Sequence, residues 1–189
     1  MLNVLDQVVV NTVNIIQNPL LDRIMIFFTS LGDKGIIWIM LLIILSVKKE
    51  TRKTAAAMTV SVIIVFIITN YLKDTFQRIR PYEYMHFIPK VTTSGTSSFP
   101  SAHSAVAFAV FGISYFYKLK FRYIIGVIAL MISVSRFYLE VHYFTDVLAG
   151  VSLGFIISYI LFYIPEVMVK HIRINNLHLY KRFFPREKR

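Results

Sequence analysis

The chain contains no cysteine, and only 16% of its 189 residues are charged. Without cysteine there is no disulfide, no thiolate metal site and no cysteine nucleophile. An average soluble domain carries roughly 25% charged residues. Here 56% of the residues are hydrophobic and the mean hydropathy is +0.61. A water-soluble protein of this size has too small an interior to hide that much apolar surface. A free cytosolic enzyme is thereby excluded, and so is intrinsic disorder. Acidic residues are scarce as well: 10 Asp+Glu stand against 21 Lys+Arg, a net charge of +11. In a soluble chain that excess would point to nucleic acid. In a membrane protein it reads as cationic loops held on the cytoplasmic side, and no nucleic-acid partner is expected. No cleavable signal peptide is expected: the start lacks a basic region and carries Asp6 where an apolar core would begin. The sequence shows no internal repeat or low-complexity tract, and no second domain is expected.

What is present is a series of apolar runs. Five stand out, at residues 36–47, 55–72, 105–117, 123–134 and 147–164. A bilayer crossing needs about 20 residues, and each run extends by a turn into its flanks. Ahead of them Leu2, Leu5, Val9, Val13 and Ile16 recur at helical spacing, with Asn3, Asp6, Gln7, Asn11, Asn14 and Asn18 opposite. That pattern predicts an amphipathic helix in the interface or against the bundle. Residues 20–31 are apolar but interrupted by Asp22 and Arg23, and read as an interfacial or partly inserted helix turning into the first span at Gly32. A sixth crossing there is the less favoured alternative. The expectation is an all-α integral membrane bundle of about five spans, a single domain over 1–169. Within it, 1–31 form the amphipathic lead and 33–165 the bundle; a basic tail covers 170–189.

Loop charges orient the bundle. Lys48, Lys49, Arg52 and Lys53 follow the first span, Lys118, Lys120 and Arg122 follow the third, and the tail is rich in Lys and Arg. Together these hold 14 of the 21 cations, on one side. The positive-inside rule places that side, and the C-terminus, in the cytoplasm. The tail is expected to rest on anionic lipid.

Ionisable residues at span ends are functional candidates, and here they form three clusters. Lys73–Pro81 reads KDTFQRIRP, Phe99–Ser104 reads FPSAHS, and Ser135–Asp146 reads SRFYLEVHYFTD. Because spans alternate in direction, all three fall on the same, outer face. Lys73, Arg80 and Arg136 supply cations, with Arg78 close by. Ser101 adds a hydroxyl, and the backbone N–H groups after Pro100 suit a helix N-terminus. Such donors fit a phosphate or diphosphate. Lys73 and Arg80 are seven residues apart, two helical turns, although Arg80 precedes a proline and is expected just past a helix end. His142 and Asp146 are four apart, so a helical segment would stack them. Asp146 then accepts from one imidazole nitrogen and leaves the other as a nucleophile. His103, on the same face, is placed to protonate a leaving oxygen. The combination reads as phosphoryl transfer through a phosphohistidine. A metal site built from His103, His142 and Asp146 is disfavoured by the surrounding cations, and no cofactor is expected.

The three segments resemble the signatures of the type-2 phosphatidic acid phosphatase superfamily: K-x6-R-P at Lys73–Pro81, P-S-x-H at Pro100–His103, and S-R-x5-H-x3-D at Ser135–Asp146. The resemblance implies that Lys73, Arg80, Ser101 and Arg136 hold the phosphate. It also implies that His142 attacks phosphorus, Asp146 orients it, His103 is the general acid, and no metal is needed. Two positions depart from the family pattern. Ala102 replaces a usual glycine, and Glu140 stands where many members have glycine. Neither change removes a catalytic group, and any effect is expected on substrate preference.

The compact layout is similar to bacterial undecaprenyl-diphosphate phosphatases, which implies a carrier-lipid diphosphate as substrate at the outer leaflet. A phosphatidylglycerophosphate, phosphatidate or lipid A phosphatase is the alternative within the class. An anion or lipid-phosphate transporter is the alternative outside it. Beyond the lipid substrate and the surrounding membrane lipids, no obligatory protein partner is expected. In the loop after the first cluster, Tyr82, Met85, Phe87 and Ile88 are candidate contacts for the lipid tail. The competing reading of Tyr82, Tyr84, Tyr138 and Tyr143 is an aromatic belt at the outer interface. His86, His171 and His178 are read as unspecialised.

Overall fold

The computed structural model describes residues 3–93 and 97–183, with side chains through residue 164. Among the described residues every regular element is helical. In chain order they are α1 (Val4–Ile16), α2 (Pro19–Gly32), α3 (Ile36–Val47), α4 (Arg52–Phe76), α5 (Pro81–Tyr84), α6 (Ala102–Phe116), α7 (Arg122–Tyr138) and α8 (Phe144–Phe183).

Local chemistry sets the early boundaries. Asn3 caps α1 by accepting from the Asp6 N–H at 2.7 Å. Asn18 caps α2 by accepting from the Leu20 and Leu21 N–H groups, and Pro19 takes the first helical position, where its missing N–H is harmless. α2 stops at Gly32, where the sequence places the turn into the first span. Just beyond, Lys34 (φ 53°) and Gly35 (φ 69°) are both left-handed. Two such residues in succession cannot carry an α-helix. Gly35 meets the requirement without strain, and the chain restarts as α3.

The bundle is formed by α3, α4, α6, α7 and α8, with α6 at its centre against α8, α7 and α4. Gly150, Gly154 and Ser158 of α8 recur one turn apart and face α6. A Cβ at Gly154 would run into the backbone of Ala105 and Ala109, and one at Gly150 into that of Ser101. The two backbones therefore nearly touch, and the Ser158 hydroxyl donates across the seam to the Ala109 carbonyl at 2.8 Å. In lipid no hydrophobic force drives helices together, so close contact between small residues supplies the attraction. Larger residues, among them Trp38, Met58, Val110, Ile113 and Ile132, fill the rest of the core. Ile39, Ile43, Ile63, Ile67, Val127 and Ile156 point outward and exposed, as lipid-facing side chains do. Among the described residues three segments are long and apolar enough to cross a bilayer: Pro19–Val47, Lys49–Tyr84 and Phe144–Ile164. α6 and α7, of 15 and 17 residues, are shorter.

The lead packs at one end of this bundle. Near the start of α2, Asp22 accepts from the Tyr138 hydroxyl; Thr29 then meets Arg136, and Gly32 lies beside Ile132. From Asp22 to Gly32 the contacts of α2 run back along α7 from Tyr138 to Ile132, so the two helices lie side by side and antiparallel. α8 runs on through Phe183, so most of the basic tail is helical; residues 184–189 lie outside the described residues.

Candidate active site

The three clusters meet at the end of the bundle that carries the lead, around a cavity of about 1130 Å³. Its wall includes Lys73, Arg80, Arg136, His103 and His142, together with Lys34, Asp33, Asp74 and Glu83.

Lys73 stands on the last turn of α4. Gln77 ends that helix in a left-handed conformation (φ 44°), returning its N–H to the Lys73 carbonyl at 3.0 Å. The chain is extended by Arg80 (ψ 155°), which precedes α5. The helical register suggested by the seven-residue spacing therefore breaks at Gln77. The turn in the chain, not a shared helix face, brings Arg80 to the cavity. Each cation is tethered: Lys73 Nζ donates to the Ser97 carbonyl at 2.8 Å, Arg80 Nη1 to the Val141 carbonyl at 3.0 Å, and Arg136 Nη1 to Thr29 Oγ1. Arg136 is 3% exposed, and its buried Nε has no hydrogen-bond partner among the described residues. Such a donor is costly unless something else accepts from it.

Ser101 is fully buried as the N-cap of α6, its Oγ accepting from the Ser104 N–H and lying 2.9 Å from Ser104 Oγ. It sits behind the cavity wall formed by Ala102 and His103. Ala102 has no positive φ, so alanine fits this position without strain.

His142 lies in the loop between α7 and α8, not within a helix. Its Nδ1 is 3.7 Å from Asp146 Oδ2 and 3.4 Å from Ser98 Oγ. Burial pushes this imidazole down to about 3, which leaves it neutral, the form that can attack phosphorus. Asp146 is fully buried on the first turn of α8. Oδ2 accepts from Ser98 Oγ at 2.5 Å and from the Tyr143 N–H at 2.9 Å, while Oδ1 accepts from Arg78 Nη1 at 2.5 Å. On α6, His103 Nε2 is 3.0 Å from Asp33 Oδ1.

Glu140 adopts φ 54°, which explains why glycine suits the position. Its carboxylate accepts from Gln17, just past the end of α1, at 3.5 Å, on the side of the lead. In the following loop the Tyr82 hydroxyl is 2.8 Å from Thr93 Oγ1, and its ring meets Phe87 edge-on. Met85 is half-buried and Ile88 is 91% exposed.

Sequence reasoning passed over Ser98, Asp33, Thr29 and Asp6. Ser98 stands two residues before the second signature. Asp33 lies at an apolar helix end, a position that invites a functional reading. Nothing local marks Thr29 or Asp6.

Comparison with known proteins agrees with this geometry. The PAP2 superfamily model matches residues 54–169. Phosphatidylglycerophosphatase B of Bacillus subtilis is 32% identical over 170 residues, covering 82% of this chain and 80% of that one. An undecaprenyl-diphosphatase of Sulfolobus acidocaldarius is 29% identical, covering 78% and 72%. The crystal structure of the transmembrane PAP2-type phosphatidylglycerolphosphate phosphatase from Bacillus subtilis superposes with a TM-score of 0.70 at 30% identity, covering 82% of each chain. A helical membrane bundle, three signatures around one cavity and a family match over most of the chain lead to one conclusion: the protein belongs to the PAP2 superfamily of membrane phosphatases.

Proposed function

We propose that this protein removes a phosphate from a lipid diphosphate at the outer leaflet through a phosphohistidine on His142. The observation that carries the reading is the meeting of the His142–Asp146 pair, His103 and three tethered cations at one cavity. Lys73, Arg80 and Arg136 hold the phosphate oxygens, Arg136 Nε among the donors, and offset charge in the transition state. Ser101 shapes the same site by capping α6 from behind. Neutral His142 attacks with Nε2, a P–N bond forms, and the bond from phosphorus to the leaving oxygen breaks. His103 gives that oxygen a proton. Asp146 stabilises the positive charge that develops on the imidazole. Water then attacks the phosphohistidine, His103 takes its proton, and inorganic phosphate leaves with His142 restored. Every step uses groups of this chain, so EDTA should leave turnover intact.

Undecaprenyl diphosphate is the preferred substrate. Lys34 gives the cavity wall a fourth cation that a second phosphate could use, alongside Asp33, Asp74 and Glu83, and a relative bears that activity in its name. Phosphatidylglycerophosphate is the second reading, favoured by the relative at 32% identity. The distribution of loop cations supports a site on the outer face and a C-terminus in the cytoplasm. A transporter would need the cations but neither a nucleophile nor an acid.

The test is phosphate release by purified protein from undecaprenyl diphosphate, phosphatidylglycerophosphate, phosphatidate and lipid A, with EDTA present. Fastest release from undecaprenyl diphosphate supports the preferred reading. Fastest release from phosphatidylglycerophosphate selects the second. Binding without release from any of them overturns the enzymatic reading.

A further inference from the structure

Asp6 belongs to α1, outside the residues matched by the family model, yet it is fully buried. Its carboxylate accepts from Arg78 Nη2 at 2.6 Å, from Thr145 Oγ1 at 2.7 Å and from the Thr145 N–H at 3.0 Å. Arg78 directs its other terminal nitrogen, Nη1, to Asp146 Oδ1 at 2.5 Å and to Thr145 Oγ1 at 2.8 Å. The guanidinium also lies over the Tyr143 ring, 4.1 Å from its centre. One planar fork thus bridges two buried carboxylates, and the second of them faces His142.

Attachment of α1 does not call for this arrangement. Val10 and Val13 are buried on the same side of the helix as Asp6 and supply its apolar contact with the bundle, whereas a buried carboxylate is tolerated only when paired and fully hydrogen-bonded. Arg78, in turn, is not a spare phosphate ligand. Both its terminal nitrogens are committed to carboxylates, and it is absent from the cavity wall among the described residues. Ser98 and the Tyr143 N–H hold Oδ2, and Arg78 holds Oδ1. With both oxygens held, the plane of the carboxylate that faces the imidazole is fixed.

We propose that Asp6 is a positioning residue for phosphoryl transfer. Through Arg78 and Thr145 it locks the Asp146 carboxylate and hence the His142 ring, making the N-terminal helix part of the active centre. The inference rests on the reading of His142 as nucleophile. Asp6→Asn keeps size and an acceptor for Thr145 but removes the charge that holds Arg78. Arg78→Lys keeps a cation but loses the fork that reaches both carboxylates.

The experiment uses the purified full chain and measures kcat, KM, rapid-quench formation of acid-labile phosphate on the protein, and Tm. Asp6→Asn is expected to lower kcat by about tenfold to a hundredfold, the loss typical when a partner behind a working imidazole is removed. KM should stay unchanged, and phosphoenzyme formation should slow by the same factor. Arg78→Lys should do likewise, the double variant should be no worse than the worse single variant, and Asp6→Glu should recover part of the rate. Wild-type kcat in both single variants, or losses that multiply in the double variant, would overturn the proposal. A lower Tm with unchanged phosphoenzyme formation would make Asp6 a structural contact only. His142→Ala, run alongside, separates the two readings: turnover in that variant rejects the nucleophile itself, whatever Asp6→Asn does.

Discussion

At the residue scale, the proposed chemistry depends on keeping one buried imidazole uncharged and correctly turned. His142→Ala should abolish turnover while the protein still inserts and folds, because no neighbour supplies a second nucleophile. Acid-labile phosphate trapped from labelled substrate should appear on the wild type and vanish in the variant; normal turnover would reject the mechanism. Burial also sets a pH dependence. The His142 imidazole titrates at about 3 in the folded protein against an ordinary value of 6.5. As pH falls below 6.5 the unfolded chain takes up this proton and the folded chain does not, so stability falls between 6.5 and 3. Nitrogen NMR of labelled histidine in detergent should accordingly show neutral His142 at pH 5. A charged ring there would contradict the burial that this site imposes.

At the element scale, two segments decide whether the cavity keeps its form. The first is the α6–α8 seam, which carries His103 on one helix and Asp146 on the other. Gly154→Ala puts a methyl against the Ala105 and Ala109 backbone, and overpacking of this kind costs about 1–3 kcal/mol. A lower Tm in detergent is expected, together with reduced turnover as the two site-bearing ends part; an unchanged Tm would mean that the helices are not so close. The second is the loop after α5. Tyr82 anchors it through Thr93 and Phe87, which leaves Ile88 exposed; none of the four candidate tail contacts, Tyr82, Met85, Phe87 and Ile88, lines the cavity itself. If this loop grips the first segment of the lipid tail, binding there orients the phosphate. Replacing Met85, Phe87 and Ile88 together with serine should then slow turnover of a long-chain diphosphate far more than that of a short soluble analogue. Equal losses on both would limit the loop to supporting the fold.

At the scale of the whole molecule, the charge split predicts which way the bundle faces. The chain has no cysteine of its own, so single cysteines report cleanly. One at Thr93, on the cavity wall, should react with an impermeant thiol reagent added to intact cells, and one at Glu50, between α3 and α4, should not. The reverse pattern would place the site in the cytoplasm and exclude hydrolysis at the outer leaflet.

Much of this architecture is legible in the chain because partition into lipid depends on local composition. Apolar runs declare the helices of the bundle, and their alternation brings Lys73, Pro100–His103 and Ser135–Asp146 to one end without any knowledge of packing. Hydropathy, however, has no lateral coordinate. It reads Asp6 as one more polar residue on an amphipathic helix, and Asp33 as part of a helix flank. Arg78 looks like a spare cation, and the spacing of Lys73 and Arg80 does not reveal the turn between them. The left-handed turn at Gln77, the packing of α2 against α7 and the contact between His103 and Asp33 follow from how helices rotate and pack. So does the bridge from Asp6 through Arg78 to Asp146, which joins residues 72 and 68 positions apart. The sequence by itself determined which segments enter the membrane and which chemical groups surface together. The tertiary structure alone decided which carboxylate meets which cation, because that depends on close contacts between helices that no local pattern encodes.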